Sequence, residues 1–199
     1  MLARVRESLF AILGDVVEDA AVLDLFSGTG SLGLEALSRG AAYVRFFERD
    51  RRASGRLAEN IAILDVGDCT KIVRGDALNA ARWAGSPRQE DGETGAPGPW
   101  AQIALLDPPY PLFDDSKGRA TLIEALGAIV TDILTPGGVL VLHTHPRVRL
   151  EEDLPQDVWK DRRVYGNTAL WFLWKPSAEE AADAGQAADA ADDDQDAAQ

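Results

Sequence analysis

Cysteine is nearly absent from this chain of 199 residues, because Cys69 is the only one. A single thiol excludes a disulfide within the chain, and it excludes every zinc site built from several cysteines. The two histidines, His143 and His145, would leave a strand end without a third metal ligand nearby in the sequence. We therefore predict no metal, and we interpret Cys69 as a partly buried thiol that precedes a strand.

Long apolar runs are absent as well. No stretch approaches the roughly 20 apolar residues that a membrane-spanning helix needs. The first dozen residues include Arg4, Arg6 and Glu7, so they indicate an amphipathic helix and not a signal peptide. We expect a cytoplasmic protein that does not bind a membrane. Because 46% of the residues are apolar, the chain can bury a full core, and we predict one domain over residues 1–175.

Positive charge is scarce, since 20 Lys and Arg stand against 33 Asp and Glu and the net charge is −13. This balance is unfavourable for binding nucleic acid, but it is unevenly distributed. Residues 176–199 contain eight acids and no Lys or Arg, so the body of the chain carries −5. Their Ala, Asp and Gln composition predicts a disordered acidic tail.

The basic residues of the body fall into clusters. Each cluster is typical of a solvated surface, but clusters that share the rim of a catalytic face would follow the phosphates of a nucleic acid. The clusters are Arg4 and Arg6; Arg49, Arg51, Arg52 and Arg56; Arg147 and Arg149; and Lys160, Arg162 and Arg163.

The tetrapeptide Asp107-Pro108-Pro109-Tyr110, directly after an apolar run, suits methylation of an exocyclic base amine. The lone pair of such a nitrogen is delocalised into the ring, so a catalyst must accept its N–H hydrogens. A carboxylate and a nearby carbonyl can do this, and a Pro-Pro step fixes its carbonyls without competing donors. The following tyrosine offers a ring face on which a base can stack.

A second motif is the glycine-rich turn Gly28-x-Gly30-x-x-Gly33, which follows an apolar strand and opens a helix. Such a turn lets the backbone approach a ligand, and the helix start offers free N–H groups. Glu48 lies 20 residues beyond Gly28 and would accept the hydroxyls of an adenosine ribose. NAD enzymes and S-adenosylmethionine enzymes share this pattern. Asp24 favours a sulfonium-bearing ligand, and hydride transfer has no evident use for the motif at Asp107.

The hydrophobic periodicity predicts an α/β fold in which strands and helices alternate around a mostly parallel sheet. A C-terminal antiparallel hairpin is predicted at residues 165–167, and such a hairpin is typical of the methyltransferase version of the fold. Residues 84–100 are interpreted as a flexible insert, and residues 135–138 as a turn. The predicted helices span 4–13, 31–39, 51–64, 77–83 and 119–134, and the predicted strands span 22–26, 43–47, 71–73, 103–106, 139–143, 158–164 and 168–174.

Taken together, several segments between residues 4 and 174 resemble the RsmD family of bacterial methyltransferases, which act on the guanine exocyclic amine of small-subunit ribosomal RNA. The segments are residues 4–13, 24–40, 47–50, 60, 75–77, 106–110 and 165–170. Two features depart from the family pattern. The chain begins without the basic glycine-rich segment that usually precedes the first helix, and it carries the insert and the acidic tail.

The resemblance implies a Rossmann-like S-adenosylmethionine-dependent methyltransferase fold and a set of site residues. The residues implied to bind S-adenosylmethionine are Asp24, Ser27, Gly28, Thr29, Gly30, Glu48 and Arg49, with Asp76 and Ala77 at the adenine. The residues implied to be catalytic are Asp107, Pro108, Pro109 and Tyr110.

The expected function is methyl transfer to the N2 amine of a guanine in 16S ribosomal RNA, by a monomer that acts on a small-subunit particle. Three alternatives remain open. The first is a DNA or RNA methyltransferase for adenine or cytosine amines, because the tetrapeptide serves all three amines. The others are an NAD-linked oxidoreductase and a cofactor-binding RNA chaperone or assembly factor without activity.

Overall fold

A computed structural model of the chain describes residues 2–83 and 98–183. Seven strands and five α-helices follow one another between Ala3 and Trp174 in these two segments. The strands are β1 Ala21–Leu25, β2 Tyr43–Glu48, β3 Thr70–Arg74, β4 Ala101–Leu106, β5 Leu134–Thr144, β6 Trp159–Tyr165 and β7 Thr168–Trp174. The helices are α1 Ala3–Leu13, α2 Ser31–Ser38, α3 Arg51–Leu64, α4 Pro111–Asp114 and α5 Ser116–Ala128.

The strands form one sheet in the order β3-β2-β1-β4-β5-β7-β6. The first five are parallel, whereas β7 pairs antiparallel with both β5 and β6. The predicted α/β class and the C-terminal antiparallel hairpin are thereby confirmed. Because the parallel strands all end at the same edge, the segments that follow β1, β2, β4 and β5 meet there.

Two apolar layers cover the faces of the sheet, and successive strand residues alternate between them. Leu23 and Leu25 of β1 pack in one layer with Leu122 of α5, while Val22 packs in the other. The second layer contains the buried sides of α1, α2 and α3. Asp24 has the same parity as Val22, so its carboxyl points to the side of the sheet that α2 covers.

Helix α1 confirms the predicted amphipathic helix at the start of the chain. Val5, Leu9 and Leu13 are buried at the three- and four-residue spacing of one helical face. Gly14 ends the helix with a φ of 52°, and its N–H bonds to the carbonyl of Phe10. A residue with a side chain would be strained at this φ, which explains the glycine.

The prediction around residues 119–138 is wrong in its boundaries. Helix α5 begins at Ser116, because the Asp115 carboxylate caps it by accepting the N–H of Gly118 at 2.6 Å. It ends in a π-helical turn, Ile129–Ile133, and β5 begins directly afterwards. The predicted turn at residues 135–138 is an irregular part of β5. There the Gly138 carbonyl accepts the N–H of Lys175, so pairing between distant segments outweighs the local turn signal.

The predicted helix over residues 77–83 is only a 3₁₀ turn, Ala80–Arg82. Asp76 accepts the N–H of Leu78 at 3.0 Å and holds the chain in a turn before it. The Trp83 side chain is buried, and its indole N–H donates to the Ala77 carbonyl at 2.9 Å. This contact fixes the backbone at Ala77.

Two predicted segments lie partly outside the described residues. Residues 84–97 of the predicted insert lie outside the described residues. Trp100, at the end of that insert, is buried, and its backbone N–H donates to the Ile133 carbonyl. In the predicted tail, residues 178–183 are helical. Ser177 and Glu180 cap this helix by accepting each other's backbone N–H.

Among residues 2–83 and 98–183, no helix is both long and apolar enough to cross a membrane.

Candidate active site

The glycine-rich turn connects β1 to α2 at the edge where the parallel strands end. Gly28 and Gly30 have φ values of +57° and +87°, which a side chain would make unfavourable. At Gly33 a Cβ atom would lie 2.3 Å from Phe46 Cε1, so only glycine lets α2 pack this closely on β2. Phe26 also adopts a positive φ, +61°, and this ends β1 at Leu25.

Ser27 and Thr29, both expected to bind a cofactor, have different surroundings. Ser27 is buried, and its hydroxyl donates to the carbonyls of Asp24 at 2.8 Å and Phe47 at 3.1 Å. It therefore ties the end of β1 to the end of β2. Thr29 is exposed, and its carbonyl accepts the side-chain amide of Asn60 at 3.1 Å. Both residues stabilise the turn through hydrogen bonds to main-chain carbonyls.

Asp24 is a buried carboxyl beneath the turn. Its Oδ2 accepts the Gly33 N–H at 2.9 Å, so it joins β1 to the start of α2. The pKa of Asp24 is raised from 3.8 to about 8, mainly by burial; the Gly33 N–H lowers this pKa, and the nearby Asp107 and Glu48 raise it. At neutral pH this carboxyl is therefore protonated in the chain without ligand.

Glu48 ends β2, and two backbone amides fix its carboxylate. Oε2 accepts the N–H of Gly28 at 2.8 Å, and Oε1 accepts the N–H of Asp50 at 2.7 Å. Asp50 in turn caps α3 by accepting the N–H groups of Arg52 and Ala53. The same carboxylate thus links the glycine-rich turn to the start of α3 and has a fixed orientation.

A cavity of about 280 Å³ lies where these segments meet. It brings together Glu48, Arg49 and Ala77, which are expected to bind the cofactor, and Asp107 and Pro109, which are expected to bind the base. Asp76 is exposed next to this cavity and does not line it. The sequence analysis missed three further lining residues, Phe26, Phe47 and Gly75.

The tetrapeptide after β4 forms a tight turn into α4. The Pro109 carbonyl accepts the N–H of Leu112 at 2.9 Å, and the Tyr110 carbonyl accepts that of Phe113 at 3.0 Å. Within the described segments, the Pro108 carbonyl accepts no hydrogen bond. Asp107 is 28% exposed and Tyr110 is 47% exposed, so both side chains are accessible to a ligand.

His143 is a site residue that the sequence analysis considered only as half of a metal site. Its Nδ1 lies 2.5 Å from Asp107 Oδ1, and its side chain is 6% exposed. Burial would raise the pKa of Asp107, but the hydrogen bond and attraction to His143 lower it, and the net pKa lies below the ordinary value. Asp107 is therefore ionised at neutral pH, whereas Asp24 is not.

The two histidines also contact the exposed aromatic ring of the tetrapeptide. The Tyr110 ring meets those of His143 and His145 edge to face, with centroids 6.0 and 6.1 Å apart. In residues 2–83 and 98–183, no three His, Cys, Asp or Glu side chains form a group that could hold a metal ion. The structure thus places both histidines beside the tetrapeptide.

A second cavity, about 560 Å³, is lined by Tyr110 and Phe113. Arg119, Arg147 and Arg149 line it with His145. The Arg119 guanidinium bonds to the Arg149 carbonyl and to Asp153, whereas Arg147 and Arg149 are exposed.

Other predicted basic clusters contain arginines with structural partners. Arg6 pairs with Glu35 on α2, and Arg162 donates to the Pro146 carbonyl while stacking over Trp171. Arg147 and Arg149 lie in the cavity beside Tyr110, where Arg149 also approaches Glu151 at 3.8 Å, and Arg49 lines the cavity that contains Asp107.

Comparison with known proteins agrees with this architecture. Ribosomal RNA small subunit methyltransferase D of Escherichia coli (strain K12) is 39% identical over 107 residues, which are 54% of this chain and 47% of that protein. This chain thus matches about half of the length of that relative. YlbH of Bacillus subtilis (strain 168) is 32% identical over 167 residues, 84% of this chain and 82% of that protein.

A solved RNA methyltransferase from Salinibacter ruber, in complex with S-adenosyl-L-homocysteine, shares the fold. Its TM-score is 0.59 at 18% identity, with 88% of this chain and 93% of that chain covered. The sheet order, the glycine-rich turn and the acidic end of β2 define a Rossmann-like methyltransferase fold. A family model described as Conserved hypothetical protein 95 matches residues 1–174. The chain belongs to this family, the RsmD family.

Proposed function

We propose that this protein transfers a methyl group from S-adenosylmethionine to the N2 amine of a guanine in small-subunit ribosomal RNA. The observation that carries the proposal is the shared cavity after β1, β2 and β4. It joins Glu48, suited to a ribose, to Asp107, suited to an amine. The name of the Escherichia coli relative supports ribosomal RNA as the substrate.

The residues of the cavity fit S-adenosylmethionine. A carboxylate has about four acceptor sites, so Glu48 can accept ribose hydroxyls while it keeps the N–H groups of Gly28 and Asp50. Phe26, Phe47 and Ala77 give apolar contact for a nucleoside. When bound, this cofactor supplies a methyl group on a sulfonium, which is already a reactive electrophile.

The tetrapeptide supplies two acceptors for the hydrogens of a base amine. Asp107 is ionised and therefore only accepts, and the Pro108 carbonyl is the acceptor that the local turn does not use. The exposed ring of Tyr110 can stack with the base after it leaves its helix or loop. Accepting both hydrogens localises the nitrogen lone pair, and holding the base makes positioning the main catalytic effect.

Exposed Arg147 and Arg149 beside Tyr110 support binding of the phosphates that flank the target nucleotide, and Arg149 would have to leave Glu151 to do so. Two arginines give only weak binding to naked RNA. We therefore propose a small-subunit particle, which presents the guanine in a fixed loop, as the better substrate for a monomeric enzyme.

The test is methyl transfer from radiolabelled S-adenosylmethionine to protein-free ribosomal RNA and to small-subunit particles that lack the modification. Digestion to nucleosides followed by mass spectrometry should identify N2-methylguanosine. Asp107→Ala should lower turnover by about 100-fold or more while cofactor affinity stays within a few fold. The exposed Asp15→Ala serves as the matched control.

Other products of this assay would overturn parts of the proposal. N6-methyladenosine or N4-methylcytidine would replace guanine as the target base. Equal rates on naked RNA and on particles would refute the inference about substrate form. No methyl transfer to any RNA would refute the enzymatic function.

A further inference from the structure

The proposal concerns His143, a buried side chain that neither cofactor nor base is expected to touch. The register between β4 and β5 places His143 beside the tetrapeptide. These strands are parallel neighbours, and Leu106 pairs with Leu142. The next residues along the two strands are Asp107 and His143. Side chains alternate between the two faces of the sheet along each strand. Asp107 and His143 therefore lie on the same face as Ile103 and Leu105.

We propose, building on the function proposed above, that His143 is a positioning residue that fixes the Asp107 carboxylate for the target amine. Its Nδ1–H donates to Oδ1 at 2.5 Å, in the neutral Nδ1–H tautomer and in the imidazolium alike. Fixing Oδ1 stops rotation of the carboxylate about its Cβ–Cγ bond. The position of Oδ2 is thereby set toward the cavity that Asp107 lines.

The packing around His143 explains how its Nδ1–H keeps this geometry. The ring is 6% exposed, lies near the end of β5 and contacts the Tyr110 ring edge to face. A buried ring cannot change rotamer without opening the core, so its donor stays aimed at Asp107. The same contacts couple the orientation of the carboxylate to that of the ring on which the base stacks.

Electrostatics gives the pairing a second consequence. Asp107 lies near the buried Asp24 of β1, and it shares the cavity with Glu48 of β2. Burial favours a protonated Asp107, and the hydrogen bond and attraction to His143 on β5 oppose this effect. Asp107 must be ionised to accept the amine hydrogens, so the loss of His143 should move the acid limb of the turnover profile to higher pH.

The experiment compares His143→Leu, which removes the donor, with His143→Asn, whose side-chain N–H can occupy the position of Nδ1. In His143→Leu we expect kcat to fall roughly 10- to 100-fold and the acid limb to move to higher pH, with cofactor Kd within threefold. In His143→Asn most of the turnover should return. Adding His143→Leu to Asp107→Ala should cause no further loss, because both changes remove the same interaction.

A structural role would give a different pattern. Equal losses in His143→Leu and His143→Asn, accompanied by weaker cofactor binding and a lower Tm, would overturn the proposal, as would an unchanged pH profile in His143→Leu. An activity-independent measurement is the NMR titration of the Asp107 side-chain carboxyl carbon in the wild type and in His143→Leu. If no RNA is methylated, the function proposed above fails, and an Asp107 titration that does not shift refutes the pairing itself.

Discussion

Replacing Asp24 with asparagine tests whether the buried carboxyl beneath the glycine-rich turn holds a proton at neutral pH. Burial raises its pKa from 3.8 to about 8. Asparagine keeps an oxygen that can accept the Gly33 N–H, and it carries no charge at any pH. The variant therefore resembles the protonated form and leaves the hydrogen bond between β1 and α2 in place.

The sign of the effect follows from proton linkage. Between pH 5 and 7 the folded chain keeps the proton of Asp24, whereas the unfolded chain has lost it. The free energy of unfolding contributed by this group therefore falls as pH rises, by about 1.4 kcal/mol per pH unit. Over these two units the loss is about 3 kcal/mol. The loss levels off above pH 8, where both states are ionised.

The assay is urea unfolding at pH 5, 6, 7 and 8, followed by the fluorescence of the buried Trp83 and Trp171. The free energy of unfolding of Asp24→Asn minus that of the wild type should grow by about 1.4 kcal/mol for each pH unit up to pH 7. The exposed Asp15→Asn should show no such slope. Parallel curves for Asp24→Asn and the wild type would mean that Asp24 is ionised throughout, and the argument from burial would be refuted.

Variants at three further positions test separate parts of the site. Glu48→Gln keeps an acceptor for the backbone amides but loses the charge, so S-adenosylmethionine affinity measured by calorimetry should fall by roughly 1.5 to 3 kcal/mol; unchanged affinity would remove Glu48 from the site. Tyr110→Ala should cost turnover about 1 to 3 kcal/mol through lost stacking while Tyr110→Phe stays mild, and equal losses in the two would point to the hydroxyl instead. Gly33→Ala should lower the free energy of unfolding by about 1 to 3 kcal/mol, because its Cβ would meet Phe46; an unchanged urea midpoint would contradict this packing.

The strands of the parallel sheet could be predicted because each is an apolar run bounded by turn residues. Errors at their ends have local causes. The sequence predicts that β1 reaches Phe26, but this residue adopts a positive φ and the strand ends at Leu25. Strand β5 begins five residues before the prediction, because Pro136 and Gly137 indicate a turn locally while β4 and the segment after β7 pair with this stretch. Such long-range pairing leaves no signal within a local window.

The candidate site could be predicted where one short segment carries the proposed chemistry, as in the glycine-rich turn and the tetrapeptide. His143 was not predicted to lie at the site, because its contact with Asp107 depends on the register between β4 and β5. The residues of β5 alone do not specify that register. The alternation of buried residues at 103 and 105 and at 139 and 141 would have placed Asp107 and His143 on one side of the sheet. Knowledge that these two strands are neighbours was the missing step.

The opposite ionisation of Asp24 and Asp107 follows from their places at the same sheet edge. Both lie on the side of the sheet that α2 covers, and each disfavours the charge of the other. Asp24 is fully buried with one amide donor, so it keeps its proton, whereas Asp107 is partly exposed and bonded to His143, so it loses its proton. A fold can give two carboxyl groups different roles by making the pKa of one higher than that of the other. Negative charge is thereby placed at Asp107, where the amine of the proposed substrate would donate, and the carboxyl beneath the glycine-rich turn stays neutral.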